Sequence, residues 1–171
     1  WDKLKKHIQA CSSVRTQSSF SVNLKNALDE IDNKKSLFIL NIEDSNSIGL
    51  NGPESDQDGQ SSWNFYNLCK ATFFTAEDAK SSRGGSYGVG KSIFWNCSKI
   101  STVIFSSQVA ETVENPEGLW VYGRCELASH RVGQDSFRGQ GFFGKPFLEK
   151  MGKGKVEVAE SLWDNKELAK N

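Results

Sequence analysis

The stretch GSYGVGKS (85–92) concentrates residues suited to holding phosphate, and it reads in two ways. Gly85, Gly90, Lys91 and Ser92 satisfy GxxxxGK(S/T), the spacing at which backbone amides cradle phosphates while a lysine reaches them. Such a loop must leave the end of a buried strand. The preceding TAEDAKSSRG (75–84) is polar and lacks apolar alternation, and neither TVIF (102–105) nor GLWVY (118–122) ends in an acidic residue placed to hold Mg2+. The second reading is GxxGxG: Gly85, Gly88 and Gly90 let the backbone approach an anion, with Ser86, Tyr87 and Val89 between them. Lys91 follows at the start of a helix whose free amides and dipole favour negative charge.

An upstream element, IEDSNSIGLNGP (42–53), strengthens the second reading. Asp44 stands just past an apolar run, where an isolated carboxylate can accept a hydrogen bond from the exocyclic amine of a purine. Glycines at 49 and 52 let a base and sugar lie against the backbone. The competing readings are a turn cap for Asp44 and a solvated helix-start residue for Lys91. Other chemistry is thinly represented. Cys11, Cys69, Cys97 and Cys125 are far apart without a CxxC pair, and only His7 and His130 offer imidazole, so the thiols read as buried or idle. His130, in ASHRVG, has no nucleophile beside it and reads as a surface or satisfied loop histidine. Trp63, Phe73, Phe74, Phe94 and Trp95 read as core, and the scattered Arg124, Arg131 and Arg138 as surface.

The elements that must position these residues follow from periodicity. Trp1, Leu4, Ile8 and Cys11 share one helical face, which predicts a helix over 1–11. The Ser-rich 11–21 predicts a loop, and Leu24, Ala27, Leu28 and Ile31 predict a second amphipathic helix over 21–33. SLFILNIED (36–44) is too short for a helix and predicts a central strand buried on both faces. Polar, glycine-rich loops at 45–62 and 75–90 flank WNFYNLCKATFF (63–74), a short helix or strand. KSIFWNCSK (91–99) predicts a helix; 100–108 and 118–127 predict a strand pair; 137–145 is glycine-rich; and the remainder predicts a strand passing into a helix. Helices early and strands late give an α+β class.

At 171 residues the chain is long enough for one domain with its own core. Hydrophobic residues at 37% and aromatics at 11% exclude wholesale disorder, and 21 basic against 21 acidic residues exclude a whole-chain nucleic-acid or membrane-surface footprint. No stretch approaches the roughly 18 apolar residues of a membrane span, and the first ten residues lack the apolar core of a secretory signal, so a cytoplasmic location is expected.

In combination, DSNSIGLNGP (44–53) and GGSYGVGK (84–91) resemble, in order and spacing, the signatures DxNTxGLxGP and GGSFGxGK of bacterial ATP-binding proteins in the GHKL ATPase superfamily, close to its MORC-like members. SIFWNCSKISTVIFSS (92–107) and FRGQGFFG (137–144) look like the same group, and the resemblance covers residues 1–150. It implies a two-layer α/β sandwich with a mixed, mostly antiparallel sheet and helices on one face. It also implies ATP with Mg2+ as ligands and a nucleotide-driven conformational switch. Asp44 would read adenine, Gly49 would lie behind the base, and Asn46 stands where the wider superfamily has the first glycine of DxGxG. Gly85, Gly88 and Gly90 match the glycines of the lid, with Lys91 beside the phosphates.

The superfamily's Glu-x-x-x-Asn helix, which holds Mg2+ and activates water, has only NALDE (26–30) as its nearest imitation, and Val22 stands four before Asn26. The resemblance therefore implies that residues 1–171 are one ATP-binding domain, a fragment without that helix and without the closing C-terminal strand. A homodimer through the lid, a DNA or protein partner of the parent, and DNA-linked or phage-defence work are what it further allows. A P-loop NTPase and a nucleotide-free interaction domain stay open as alternatives.

Overall fold

Leu4, Ile8 and Cys11 fall three or four residues apart, and the first helix, α1, buries Ile8 and Cys11 completely along that stripe. The computed structural model describes residues 1–14, 18–52, 64–70, 90–111, 118–151 and 154–160. Helix α1 spans Asp2–Val14 and α2 spans Ser19–Lys34, so both helices extend into the stretch expected to be a loop. The Ser18 hydroxyl accepts a bond from the Ser21 amide and caps α2, satisfying a donor the helix cannot pair internally. At its other end Lys35 adopts a left-handed conformation and donates its N–H to the Ile31 carbonyl. Lys5 on α1 bridges Asp32 on α2 at 2.5 Å, and the salt bridge holds that carboxyl below its usual range.

Contacts divide the chain into two compact units. The first comprises Trp1–Ser45, Phe94–Val103 and Cys125–Gly141; the second comprises Asn46–Ile93, Ile104–Arg124 and Phe142–Asn171. The first unit's core is Ile8, Cys11, Leu24, Ala27, Leu28 and Ile100, with Leu4, Ile31, Leu127 and Ala128 packed against it. A short helix α3 (Ser92–Asn96) precedes seven strands: β1 (Thr102–Gln108), β2 (Leu119–Glu126), β3 (His130–Val132), β4 (Asp135–Phe137), β5 (Gln140–Phe143), β6 (Lys145–Met151) and β7 (Gly154–Glu160). Strands β1, β2 and β5 form a three-stranded sheet in the order β1-β2-β5. β3 and β4 form an antiparallel hairpin with His130 opposite Phe137, and β6 and β7 another with Lys145 opposite Glu160. The architecture is thus mixed helix and strand with antiparallel sheets, in keeping with the α+β expectation.

The structure corrects the reading of 36–44. No strand forms there, and Phe38, Ile39, Leu40 and Ile42 are all at least 67% exposed. An apolar run encodes the propensity for a strand, but a strand exists only when another backbone supplies its hydrogen bonds, and among the described residues none does.

Candidate functional site

Within the second unit, the ends of both glycine-bearing motifs are tied to one helical turn. That turn begins at Asn64 and continues as the π-helical Tyr66–Lys70. Phe65 anchors it: the ring is fully buried, 4.9 Å from Trp120 and 5.6 Å from Tyr122 between centroids. Arg124 closes its C-terminal end, donating from Nη1 to the Cys69 carbonyl at 3.2 Å and the Lys70 carbonyl at 2.9 Å. Helix-end carbonyls have no internal donors, so a guanidinium there satisfies two at once. Arg124, expected at the surface, is only 3% exposed.

The first motif reaches the turn through Asn51. Its carbonyl accepts the Phe65 N–H at 3.1 Å, and its Oδ1 accepts from Asn64 Nδ2 at 3.0 Å. The preceding residues are pinned to the end of β1, where the Leu50 N–H donates to Ser107 Oγ at 2.8 Å. Gly49 is the residue that permits this. Its φ is +71°, and a Cβ there would stand 2.6 Å from the Gln108 carbonyl oxygen and 2.9 Å from Ser107 Oγ. Asn46, also left-handed at φ +62°, is exposed.

The second motif reaches the same turn through Lys91, whose ammonium donates to the Asn67 carbonyl at 2.8 Å. Gly90 is exposed in a turn, and a Cβ added to it would meet nothing within 4 Å. Gly85, Ser86, Tyr87, Gly88 and Val89 lie outside the described residues, as do Trp63, Phe73, Phe74 and the loop reading of 75–89. Helix α3 has five residues, fewer than the nine expected. Its aligned peptides are too few for the macrodipole that the sequence reading assigned to Lys91's helix. Asp44 belongs to the first unit and is exposed. The structure therefore brings Gly49, Gly90 and Lys91 into one unit, with Asn51 and Lys91 each bonded to one turn.

The helix tested for a catalytic glutamate, α2, borders a groove of about 440 Å³ in the first unit, lined by Asn23, Asn26 and Glu30 opposite Asn96 and Lys99. Glu30 bonds Lys34 and Lys99, each at 2.7 Å, and those ammonium groups hold its carboxyl down to about 2. A carboxylate so stabilised is a poor proton acceptor at neutral pH.

A third cluster escaped the sequence reading. His130, on β3, is buried; its Nδ1 lies 2.7 Å from the Ala128 carbonyl and its Nε2 lies 2.9 Å from His7 Nδ1. Phe137 stacks on His130 and meets His7 edge-on at 4.6 Å between centroids. The signal was the hairpin turn: Gly133, at φ +62°, begins the two residues between β3 and β4, which is turn chemistry.

Comparison of the chain with protein families, curated proteins and solved structures finds no match.

Proposed function

We propose that this chain is an adenine-nucleotide-binding domain of the GHKL ATPase type, acting within its parent as an ATP-driven conformational switch. One observation carries the reading. Asn51 of the aspartate motif and Lys91 of the glycine motif are forty positions apart, yet both bond the turn at Asn64 and Tyr66–Lys70. In a nucleotide site of this type those two motifs must meet, one at the base and one at the phosphates.

Asp44 would accept the adenine amine, and its exposed carboxylate is open to a ligand. Lys91, in the second unit, would supply charge toward the polyphosphate. Bound Mg2+ would neutralise phosphate charge; among the described residues no group of three or more metal-ligating side chains could hold it, so this chain's own residues are assigned no metal step.

The test is calorimetric titration with ATP and GTP. Binding of ATP with GTP bound far more weakly supports the reading, because guanine carries an oxygen where adenine presents its amine. Equal binding of both refutes the aspartate reading, and binding of neither returns the chain to an interaction domain.

A further inference from the structure

Both histidines of the chain meet in the first unit, where α1 packs on the β3–β4 hairpin. His7 Nδ1 and His130 Nε2 stand 2.9 Å apart. Two imidazole nitrogens, each about 2.0–2.1 Å from one ion and at right angles about it, are themselves about 2.9 Å apart. A tetrahedral ion would hold them roughly 3.3–3.4 Å apart. The pair is spaced for neighbouring corners of a square or octahedral shell.

The surroundings of His130 point the same way. Its Nδ1 donates to the Ala128 carbonyl at 2.7 Å, which fixes the tautomer and leaves Nε2 as an acceptor aimed at His7. A metal-ligating histidine is held by that kind of bond, one ring N–H on a backbone carbonyl and the other nitrogen on the ion. Phe137 stacks on the ring and holds its plane. His7 is half-buried, and among the described residues its Nε2 bonds nothing. Carrying its proton there instead of on Nδ1, and turning its ring, His7 directs a second lone pair to the same point. His130 also lines an open groove of about 470 Å³ with Ser13, Ser129 and Ser136, through which water reaches the remaining corners. Arg131 lines it too, but is exposed, so solvent screens its charge. Among the described residues no third His, Cys, Asp or Glu joins the pair. A set of two imidazoles and water suits Cu2+ and Ni2+ and is a poor match for Mg2+ or Ca2+.

We propose that His7 and His130 form a two-imidazole site for a divalent transition ion of square or octahedral preference, Cu2+ or Ni2+, clasping α1 to the β3–β4 hairpin. The ion takes the place of the hydrogen bond between the rings. Two nitrogen–metal bonds form, the His7 proton moves from Nδ1 to Nε2, and two waters leave the ion. No residue of the nucleotide reading takes part, so the proposal stands or falls apart from the function proposed above.

The experiment uses the untagged chain carrying Cys97→Ser, which removes the exposed thiol as a competing ligand. Calorimetric titration with CuCl2, NiCl2, ZnCl2 and MgCl2 should show one ion per chain, Cu2+ held tightest and Mg2+ not at all. Electron paramagnetic resonance of the Cu2+ form should show coupling to two imidazole nitrogens. His7→Gln keeps a donor for His130 and loses the ligand. It should weaken Cu2+ and Ni2+ by at least the roughly tenfold that loss of a ligand's supporting bond costs. Excess Ni2+ should raise the melting temperature of the parent and not of His7→Gln, because only folding brings together residues 123 positions apart. Absence of one-to-one uptake, a Cu2+ spectrum with fewer than two imidazole nitrogens, or equal affinity in His7→Gln would each overturn the proposal. The spectrum is read on the unaltered pair, so it decides even where the variant folds poorly.

Discussion

At the scale of single residues, the two described glycines of the candidate site make opposite demands. Gly49 combines a left-handed φ of +71° with a backbone carbonyl where its Cβ would go, and a carbonyl at the end of β1 cannot swing away as a flexible side chain can. Gly49→Ala should therefore destabilise the chain by about 2–4 kcal/mol in denaturant melts, the sum of a left-handed penalty and forced repacking. Gly90→Ala, in open space, should stay within about 0.5 kcal/mol of wild type. Equal effects would mean that the first motif's backbone is not held as described. Binding should separate two other residues. Asp44→Asn removes a charged acceptor worth roughly 1.5–3 kcal/mol; because Asp44 is exposed and the amide can rotate its oxygen inward, the loss should sit at the low end, about tenfold in ATP affinity. Lys91→Ala should cost less and reduce the salt dependence of binding, since the ammonium is only half-buried and shares its work with amides. Unchanged ATP affinity in Asp44→Asn would remove the purine-reading role. Motif spacing made these residues legible in the sequence. Asn51, Asn64 and Arg124 were not, because the first two bond each other's side chains across 13 positions and Arg124 bonds carbonyls 54 and 55 positions away, and side-chain type alone does not announce such a partner.

Elements show the same divide between local and distant causes. Helices α1 and α2 were legible because a 3.6-residue stripe is a local pattern, and the Ser-rich 11–21 misled only about where α1 ends and α2 begins. The strand expected at 36–44 was misread for the opposite reason, since pairing depends on a second backbone that no window of sequence contains. The contact between α1 and the β3–β4 hairpin joins residues 123 positions apart and was equally hidden. It has a testable pH dependence. His130 Nδ1 faces a carbonyl and must carry the proton, so its Nε2 accepts the His7 Nδ1–H. Burial, and then the charge His130 can take, lower the His7 pKa from 6.5. The unfolded chain then binds more protons than the folded one below about pH 6.5, so this contribution is present above that pH and is lost as pH falls through it. Denaturant melts at pH 7.5 and 5.5 should show wild type losing more stability on acidification than His7→Gln, whose amide can donate the same bond and does not titrate. Identical losses would show that the pair does not couple to folding.

For the whole molecule, thiol accessibility reads out burial in both units at once. Cys11 and Cys125 are buried in the first unit and Cys69 in the second, while Cys97 is exposed. Burial pushes the Cys11 thiol up and outweighs the Ala128 N–H, which donates to its sulfur at 3.2 Å and favours the thiolate, so the thiol should stay protonated and slow. Maleimide applied to the native protein should label one cysteine rapidly, Cys97, and the other three only on unfolding. A second fast site would locate a unit that is not packed as described.

Catalysis is the harder question at this scale, because hydrolysis needs a base poised near neutrality as well as a bound nucleotide. On α2, Val22 occupies the position four before Asn26 and offers no carboxylate. Glu30, four after it, is neutralised by Lys34 and Lys99 and titrates near 2; Asp32 is held low by Lys5. A carboxylate whose charge is already satisfied gains little by taking a proton from water, so neither acts as a general base at pH 7. Residues 1–171 alone should therefore bind ATP yet release phosphate no faster than a no-protein control, measured by a coupled phosphate assay with Mg2+ present. Glu30→Gln should leave that rate unchanged. If the chain turns ATP over and Glu30→Gln abolishes it, the groove beside Asn26 is a catalytic site and the ion pairs at Glu30 must open when nucleotide binds.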